Sequence, residues 1–382
     1  MSSPVRALTP EMPQAIQALQ SGPIDIIGDV HGELDALNDL LAHLGYDQFG
    51  RHPQGRTLVF LGDLIDRGPN SPGVIEKVSG LYFARRAQCI LGNHELRLIN
   101  QINKPDNSWI SEELASQARR NGWSAPMRVA HNLQLRAALT FFSGLPIALV
   151  RSDVKLVHAC WDQESIERLP RVAGSWSALF ARFRRNINAE LKSRGWNRKR
   201  IARLKTKQPL YTGPPEVDNV EFSEELSDYF IFEQNAHPLK VLTQGLHGHV
   251  RDCKPFWSGH RWQMSDRQQW WTTYQDDIPV VFGHYWRPRH GKLDANLKPS
   301  LFEGIEAHEW IGPKRNCFCL DFAVGLRFQE RLLEHTYFQG SLAALRLPAE
   351  GVQAPWELIF DDGERFTLKP PNSTRQDGGE HP

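Results

Sequence analysis

The sequence predicts an α/β fold. A buried strand, a glycine-bearing loop and a helix recur three times between residues 23 and 98, and each strand is followed by a helix-period pattern. That alternation calls for parallel strands joined by right-handed crossovers. The composition agrees, with 40% hydrophobic and 23% charged residues among 382, the balance of a folded globular chain.

Taken in order, residues 1–22 read as a polar leader with one short helical stretch over 12–19. Residues 23–27 form a buried-type strand, and 33–44 carry apolar residues at helical spacing. A second strand is expected over 57–61 with a helix over 72–79, and a third over 88–91 with a helix from Glu95. Later strands are expected at 155–157, 279–282 and 317–320, with edge strands and turns over 337–366. Two segments break the pattern: 100–140, polar and mostly helical, and 162–259, longer and mixed. The chain is therefore read as a single domain over 23–366 with those two insertions, followed by a Pro/Gly-rich disordered tail over 367–382.

Charge and cysteine content exclude whole classes. Forty-five Lys and Arg against 44 Asp and Glu leave a net charge of +1, which speaks against a global polyanion binder. No apolar run approaches the ~18 residues of a membrane-spanning helix, and the first residues carry no secretory apolar stretch. Five cysteines make a disulfide scaffold improbable and point to a reducing compartment, so a cytoplasmic protein is expected. Cys317 and Cys319, two apart, are expected to pack on one strand face.

The chemistry sits at the strand ends. Gly28-Asp29-Val30-His31-Gly32 follows the first strand. Gly62-Asp63-Leu64-Ile65-Asp66-Arg67-Gly68 follows the second, and Gly92-Asn93-His94-Glu95 the third. Ligands of open α/β sheets bind at the carboxyl ends of strands, so three loops should converge. Carboxylate, amide and imidazole without thiolate suit Mn, Fe, Zn, Co or Mg. Asp63 can bridge two cations through its two oxygens, and His158 and His284 end later strands. One such loop alone is commonly just a turn. Three in order, plus two strand-terminal histidines, are specific.

These motifs resemble the calcineurin-like metallophosphoesterases, in particular the bacterial branch of the PPP-type phosphatases. The likeness is tight over residues 24–98 and returns at 153–161, 278–286 and 316–325. It implies two mixed β-sheets flanked by helices, and two divalent cations, manganese first among Mn, Fe, Zn, Ni and Mg. It implies that Asp29, His31 and Asp63 hold one cation, and that Asp63, Asn93, His158 and His284 hold the other. Arg67 matches the phosphate-clamping arginine, His94 the acid that protonates the leaving group, and Asp66 its orienting carboxylate, expected to keep the imidazole protonated. A second clamping arginine is expected, for which Arg267 is preferred to Arg251 and Arg261. His249 rivals His284. The motifs depart from the family at Cys160, at Tyr285-Trp286 and at Phe322-Ala323, which leaves Asp321 a weak match.

The implied reaction is hydrolysis of a phosphomonoester, on a phosphoprotein, small molecule or nucleotide, by a metal-activated water. Symmetrical bis(5'-nucleosyl)-tetraphosphate hydrolysis is the first alternative, which Asp66 weakly disfavours. An RNA- or DNA-end phosphatase is another, and a non-catalytic nucleic-acid binder a remote one. Residues 182–207 hold eleven Lys and Arg with Glu190 the single acid. They read as a solvated helical pair, or as a lip that draws in a nucleotide or polyanion.

Overall fold

The structure, a computed structural model, describes residues 14–122, 125–171, 174–207, 220–258, 261–291, 300–369 and 371. The first thirteen residues of the expected leader, and nearly all of the expected tail beyond 369, lie outside them.

Two sheets face each other. In the six-stranded sheet, Ile24–Ile27, Thr57–Phe60 and Ala87–Cys89 run parallel. Ala343–Leu347, Trp356–Phe360 and Arg365–Leu368 continue it antiparallel on the other side of Ile24–Ile27. The five-stranded sheet has the order Ile16–Ala18, Ala148–Arg151, Val154–Val157, Val280–Phe282, Cys317–Cys319. Every strand here is short, so period-2 side-chain alternation decides the layers. Ile24, Ile26 and Val59 point inward onto Leu149, Leu156, Val281 and Phe318 of the facing sheet. Ile27, Leu58 and Phe60 point outward onto helices. Each fully buried Leu or Ile is worth about 1.5–3 kcal/mol relative to exposure.

The helices begin and end where local chemistry says they should. Leu34–Leu44 buries Leu37, Leu40, Leu41 and Leu44 and stops at Gly45, whose φ of 91° gives the left-handed cap. Ser71–Phe83 starts with Pro72 in its first turn, and the Asn70 side chain accepts from Gly73 N at 2.9 Å. Asn93–Ile99 starts at Gly92, and its Glu95 carboxylate accepts from the backbone N–H groups of Gly92, Asp63 and Leu64 at 2.8–3.0 Å. Glu95 thus welds the third motif to the second.

Three expectations need correction. The helical stretch over 12–19 is instead a strand at Ile16–Ala18, paired parallel with Ala148–Val150. Ala148–Arg151 was not expected as a separate strand; a two-residue turn at Ser152-Asp153 folds it back on Val154–Val157. Ala343–Leu347 is an interior strand, not an edge, and all but one of its residues are buried.

The first insertion carries a 3₁₀ turn at Pro105–Ile110 and helices Glu112–Arg120 and Asn132–Ser143. Among its described residues the second is mostly helical, with Trp176–Ser193 and Glu224–Asn235 the longest helices, and it leads into the pairing of His247–His249 with Ser265–Arg267, which encloses the shorter pair Phe256–Ser258 and Arg261–Gln263. Cys317 and Cys319 are buried on one face of their strand, and Cys319 Sγ donates to Tyr285 O at 3.0 Å. Among the described residues, no helix is long and apolar enough to cross a membrane.

Candidate active site

Each motif loop leaves the carboxyl end of a strand and turns back sharply. His31, Asp63, Asp66, Arg67 and His284 all have φ between 47° and 73°. Non-glycine residues rarely adopt that region, and the strain costs of order 1–3 kcal/mol each. Five such residues in one place mark a site held against local preference. Two glycines allow the close approach. A Cβ on Gly92 would lie 2.2 Å from Asp63 Oδ1, and one on Gly283 2.1 Å from Asp29 Oδ1.

The loops converge on the Asp63 carboxylate. Its Oδ2 lies 3.8 Å from His31 Nε2, 3.7 Å from His94 Nε2 and 3.3 Å from His158 Nε2. Asp29 Oδ2 is 3.8 Å from His31 Nε2, and Asp29 accepts from His284 N at 3.2 Å. Two overlapping ligand groups result, His31–Asp63–His94 and Asp63–His158–His284, each with its donor atoms within 4.8 Å of one another. Asp63 belongs to both. All five residues are buried.

The backbone fixes the imidazoles. His31 Nδ1 meets Ile65 O at 3.1 Å and His158 Nδ1 meets Leu61 O at 2.7 Å. A carbonyl only accepts, so each Nδ1 carries a proton and each Nε2 looks inward, with a lone pair on His31 and, once a cation displaces its proton, on His158 as well. Asn93 lies beside them. With its NH₂ toward His284 Nδ1 it donates at 2.7 Å, and it donates to Thr243 O at 3.1 Å. In the opposite orientation its oxygen faces the same Nδ1, two acceptors side by side with no proton between them.

The electrostatics fit cations as well. Burial, then the Asp321 carboxylate, raises Asp29 well above the usual range. Burial also works to raise Asp63, but His158 overcomes it and holds that carboxyl low. Burial works against a charged His158, yet Asp63 and Asp29 push it up to about 10. Burial and Arg67 lower His31 to about 3. Burial raises Asp321 to about 6, and its Oδ2 has no hydrogen-bond partner. Crowded carboxylates, an unpartnered buried oxygen and inward lone pairs form a donor set for hard or borderline divalent cations.

Asp66 and His94 come together as expected, with Oδ2 2.6 Å from Nδ1. The expected charge on the pair does not follow. Burial, then the Arg97 guanidinium, holds His94 well below its ordinary value, and burial with Asp106 raises Asp66. Arg97, which no motif singled out, donates to Asp66 Oδ2 at 3.2 Å. Arg67 donates to His31 Nε2 at 2.9 Å, and its guanidinium lies 5.2 Å from the Trp286 ring centre. Arg267 donates to the His284 carbonyl at 2.8 Å, so it braces that loop. Arg251 is exposed. The side chain of Arg261 lies outside the described residues. His249 sits on the hairpin of the second insertion, with Ser227 and Asp228 as neighbours. Cys160 is buried.

Residues 22–197 match the calcineurin-like phosphoesterase family. That stretch contains Asp29, His31, Asp63, Asn93, His94 and His158 and ends before Arg267 and His284. The chain is 50% identical over 74 residues to the asymmetrical bis(5'-nucleosyl)-tetraphosphatase PrpE of Halalkalibacterium halodurans, which is 18% of this chain and 30% of that protein. It is 46% identical over 74 residues to a symmetrical bis(5'-nucleosyl)-tetraphosphatase of Yersinia pestis, 19% of this chain and 23% of the relative. The chain thus spans less than a third of the length of either relative. A cold-active protein-tyrosine phosphatase of Shewanella superposes with a TM-score of 0.43 at 15% identity, over 94% of this chain and 83% of its own.

Proposed function

With residues 22–197 a calcineurin-like phosphoesterase domain, we propose that the protein is a dimetal-dependent hydrolase of phosphomonoesters. The observation that carries this reading is the Asp63 carboxylate common to two ligand groups that otherwise use different histidines. Asp29, whose Oδ2 lies 3.8 Å from His31 Nε2, would join His31 and Asp63 on one cation and leave His94 of that group for proton transfer, while Asp63, Asn93, His158 and His284 would hold the other. Such a pair, with manganese the first choice for an all-oxygen and imidazole set, supplies Lewis-acid polarisation of the phosphoryl group and activation of water.

The remaining work belongs to side chains. The His31 Nε2 lone pair that accepts from Arg67 is the one a cation would use, so Arg67 is free to turn to phosphoryl oxygens. Its planar fork suits two of them, and the Trp286 ring seats it. With Asp66 holding a proton against Nδ1, a neutral His94 would carry its own proton on Nε2, pass it to the leaving oxygen and be resupplied from Asp66. Arg267 would support the phosphate from the His284 loop. The basic segment 182–207, exposed at Arg184, Arg185, Lys192, Arg198 and Lys199, would draw in a nucleotide or other polyanion. Five free cysteines suit a cytoplasmic setting.

Metal analysis beside an aryl phosphate assay tests the reading. Asp63→Asn should lose both cations and nearly all turnover, while His31→Ala should lose mainly one. Two full equivalents retained by Asp63→Asn would sink the bridging assignment. A second reading, dinucleoside tetraphosphate hydrolysis, is favoured by the named activity of the relatives. Product analysis separates the two. A symmetrical cut gives two nucleoside diphosphates, an unequal cut gives a triphosphate and a monophosphate, and a monoesterase releases inorganic phosphate.

A further inference from the structure

The turn Pro105–Ile110 lies in the first insertion, outside every motif, yet it reaches the Asp66–His94 pair. Trp109 is buried, and its indole Nε1 donates to Asp66 Oδ1 at 2.6 Å. The other carboxylate oxygen, Oδ2, faces His94 Nδ1 at 2.6 Å and Arg97 Nη2 at 3.2 Å. Arg97 stands three residues after His94 on the same helix face, and the same Nη2 reaches Asp106 Oδ2 at 3.2 Å. The turn is also stapled by backbone. Arg67 N donates to Asp106 O at 3.0 Å and Ala130 N to Trp109 O at 2.9 Å.

We propose that Trp109 and Asp106 are positioning residues for the Asp66–His94 pair. The inference rests on the phosphoesterase reading above and adds to it a part of the chain that the motifs do not cover. The physical argument concerns rotation. A carboxylate with one donor can turn about its last torsion and offer either oxygen. An indole N–H left buried without a partner costs about 1–3 kcal/mol, so Trp109 keeps hold of Oδ1. With Oδ1 held, Oδ2 is the oxygen that His94 meets, and the ring plane is set. Asp106 acts one step further out. It accepts from the same Nη2 that donates to Asp66, so that the nitrogen is held between the two carboxylates and the guanidinium does not swing away from Oδ2. Together they hold His94 Nε2 toward Asp63, where the reacting phosphoryl group would lie.

The consequence depends on the leaving group. A serine alkoxide needs a proton as it departs, whereas a nitrophenolate is stable without one, so only the first reaction feels a misaimed acid. The test uses the full chain loaded with manganese, with kcat measured on phosphoserine and on nitrophenyl phosphate. Wild type is assayed first. If it hydrolyses neither, the phosphoesterase reading fails and this inference falls with it. Given activity, Trp109→Phe should lose about tenfold on phosphoserine and no more than about twofold on nitrophenyl phosphate, with metal content unchanged. Asp106→Asn, which opens no cavity, should show the same preference and carries the test if Trp109→Phe does not fold. Because Trp109 acts through Asp66, the double variant Asp66→Asn/Trp109→Phe should be no slower on phosphoserine than Asp66→Asn alone. Equal losses on the two substrates, or additive losses in the double variant, would overturn the proposal.

Discussion

His284 and His249 both follow a glycine, and the fold separates them. His284 is buried, its ring 5.3 Å from that of His158, and its backbone N–H is bound to Asp29. His249 is about half exposed and pairs with Asp228 at 3.5 Å on the far hairpin. A direct ligand cannot be replaced by solvent without loss of the cation, whereas an exposed histidine can. His284→Ala should therefore lose at least about 100-fold in kcat on an aryl phosphate at saturating manganese, more than an outer-shell change costs. His249→Ala should stay within about twofold of wild type, as surface substitutions do. A dead His249→Ala beside an active His284→Ala would show that the wrong half of the chain has been placed in the site.

At the scale of elements, the helix Trp176–Ser193 separates packing from charge. Trp176, Leu179, Phe180, Phe183, Ile187 and Leu191 form its buried stripe, and Arg182, Arg184, Arg185 and Lys192 lie on the exposed side. Replacing Arg184, Arg185, Lys192, Arg198 and Lys199 by Gln should leave nitrophenyl phosphate turnover nearly unchanged. On a polyanionic substrate kcat/KM should fall and lose its dependence on salt. Identical salt dependence in variant and parent would make the segment a solvated face and nothing more. This helical pair was legible in the sequence because its apolar period is local. So were the motif loops, since each pairs a buried run with glycine and polar residues within a few positions. Three features were not. Residues 16–18 hold a single branched side chain, Ile16, beside Gln17 and Ala18, too short a run to show a strand period, and only pairing with 148–150 makes them one. Pro146 to Val157 is apolar on both sides of Arg151-Ser152-Asp153, and with neither Gly nor Pro at that break its internal turn did not stand out. Trp109, Asp106 and Arg97 meet Asp66 from 31 to 43 positions away or through one another, and no spacing rule links them.

On the scale of the whole molecule, the site is also the seam between the two sheets. Asp29 and Asp63 come from the six-stranded sheet, His158 and His284 from the five-stranded one. Across the seam run His158 Nδ1 to Leu61 O at 2.7 Å, His158 Nε2 to Asp63 Oδ2 at 3.3 Å, and His284 N to Asp29 at 3.2 Å. In metal-free protein the Asp63–His158 ion pair holds this seam. His158 is raised from 6.5 to about 10 in the fold. A group raised in this way contributes its full stability below the unfolded value and loses it as pH rises through the folded one. The loss should therefore begin near 6.5 and be complete above about 10. Its cleanest window lies between about pH 7 and 8.5. Asp321, raised to about 6, has by then largely titrated, Glu95, raised to about 7, finishes titrating in the lower part of the window, and His31, lowered to about 3, is neutral. The buried cysteines enter only above about 8.5, where unfolded thiols ionise. Cation binding at the proposed site would reverse the trend, because it would require a neutral His158 and so gain from the pH at which the ion pair fails. Thermal midpoints in chelator should fall between pH 7 and 8.5, while those in saturating manganese hold or rise, so that the gap widens. His158→Asn should remove most of the fall. A chelated wild type as stable at pH 8.5 as at pH 7, with the same slope as His158→Asn, would mean that the Asp63–His158 contact does not hold the sheets together.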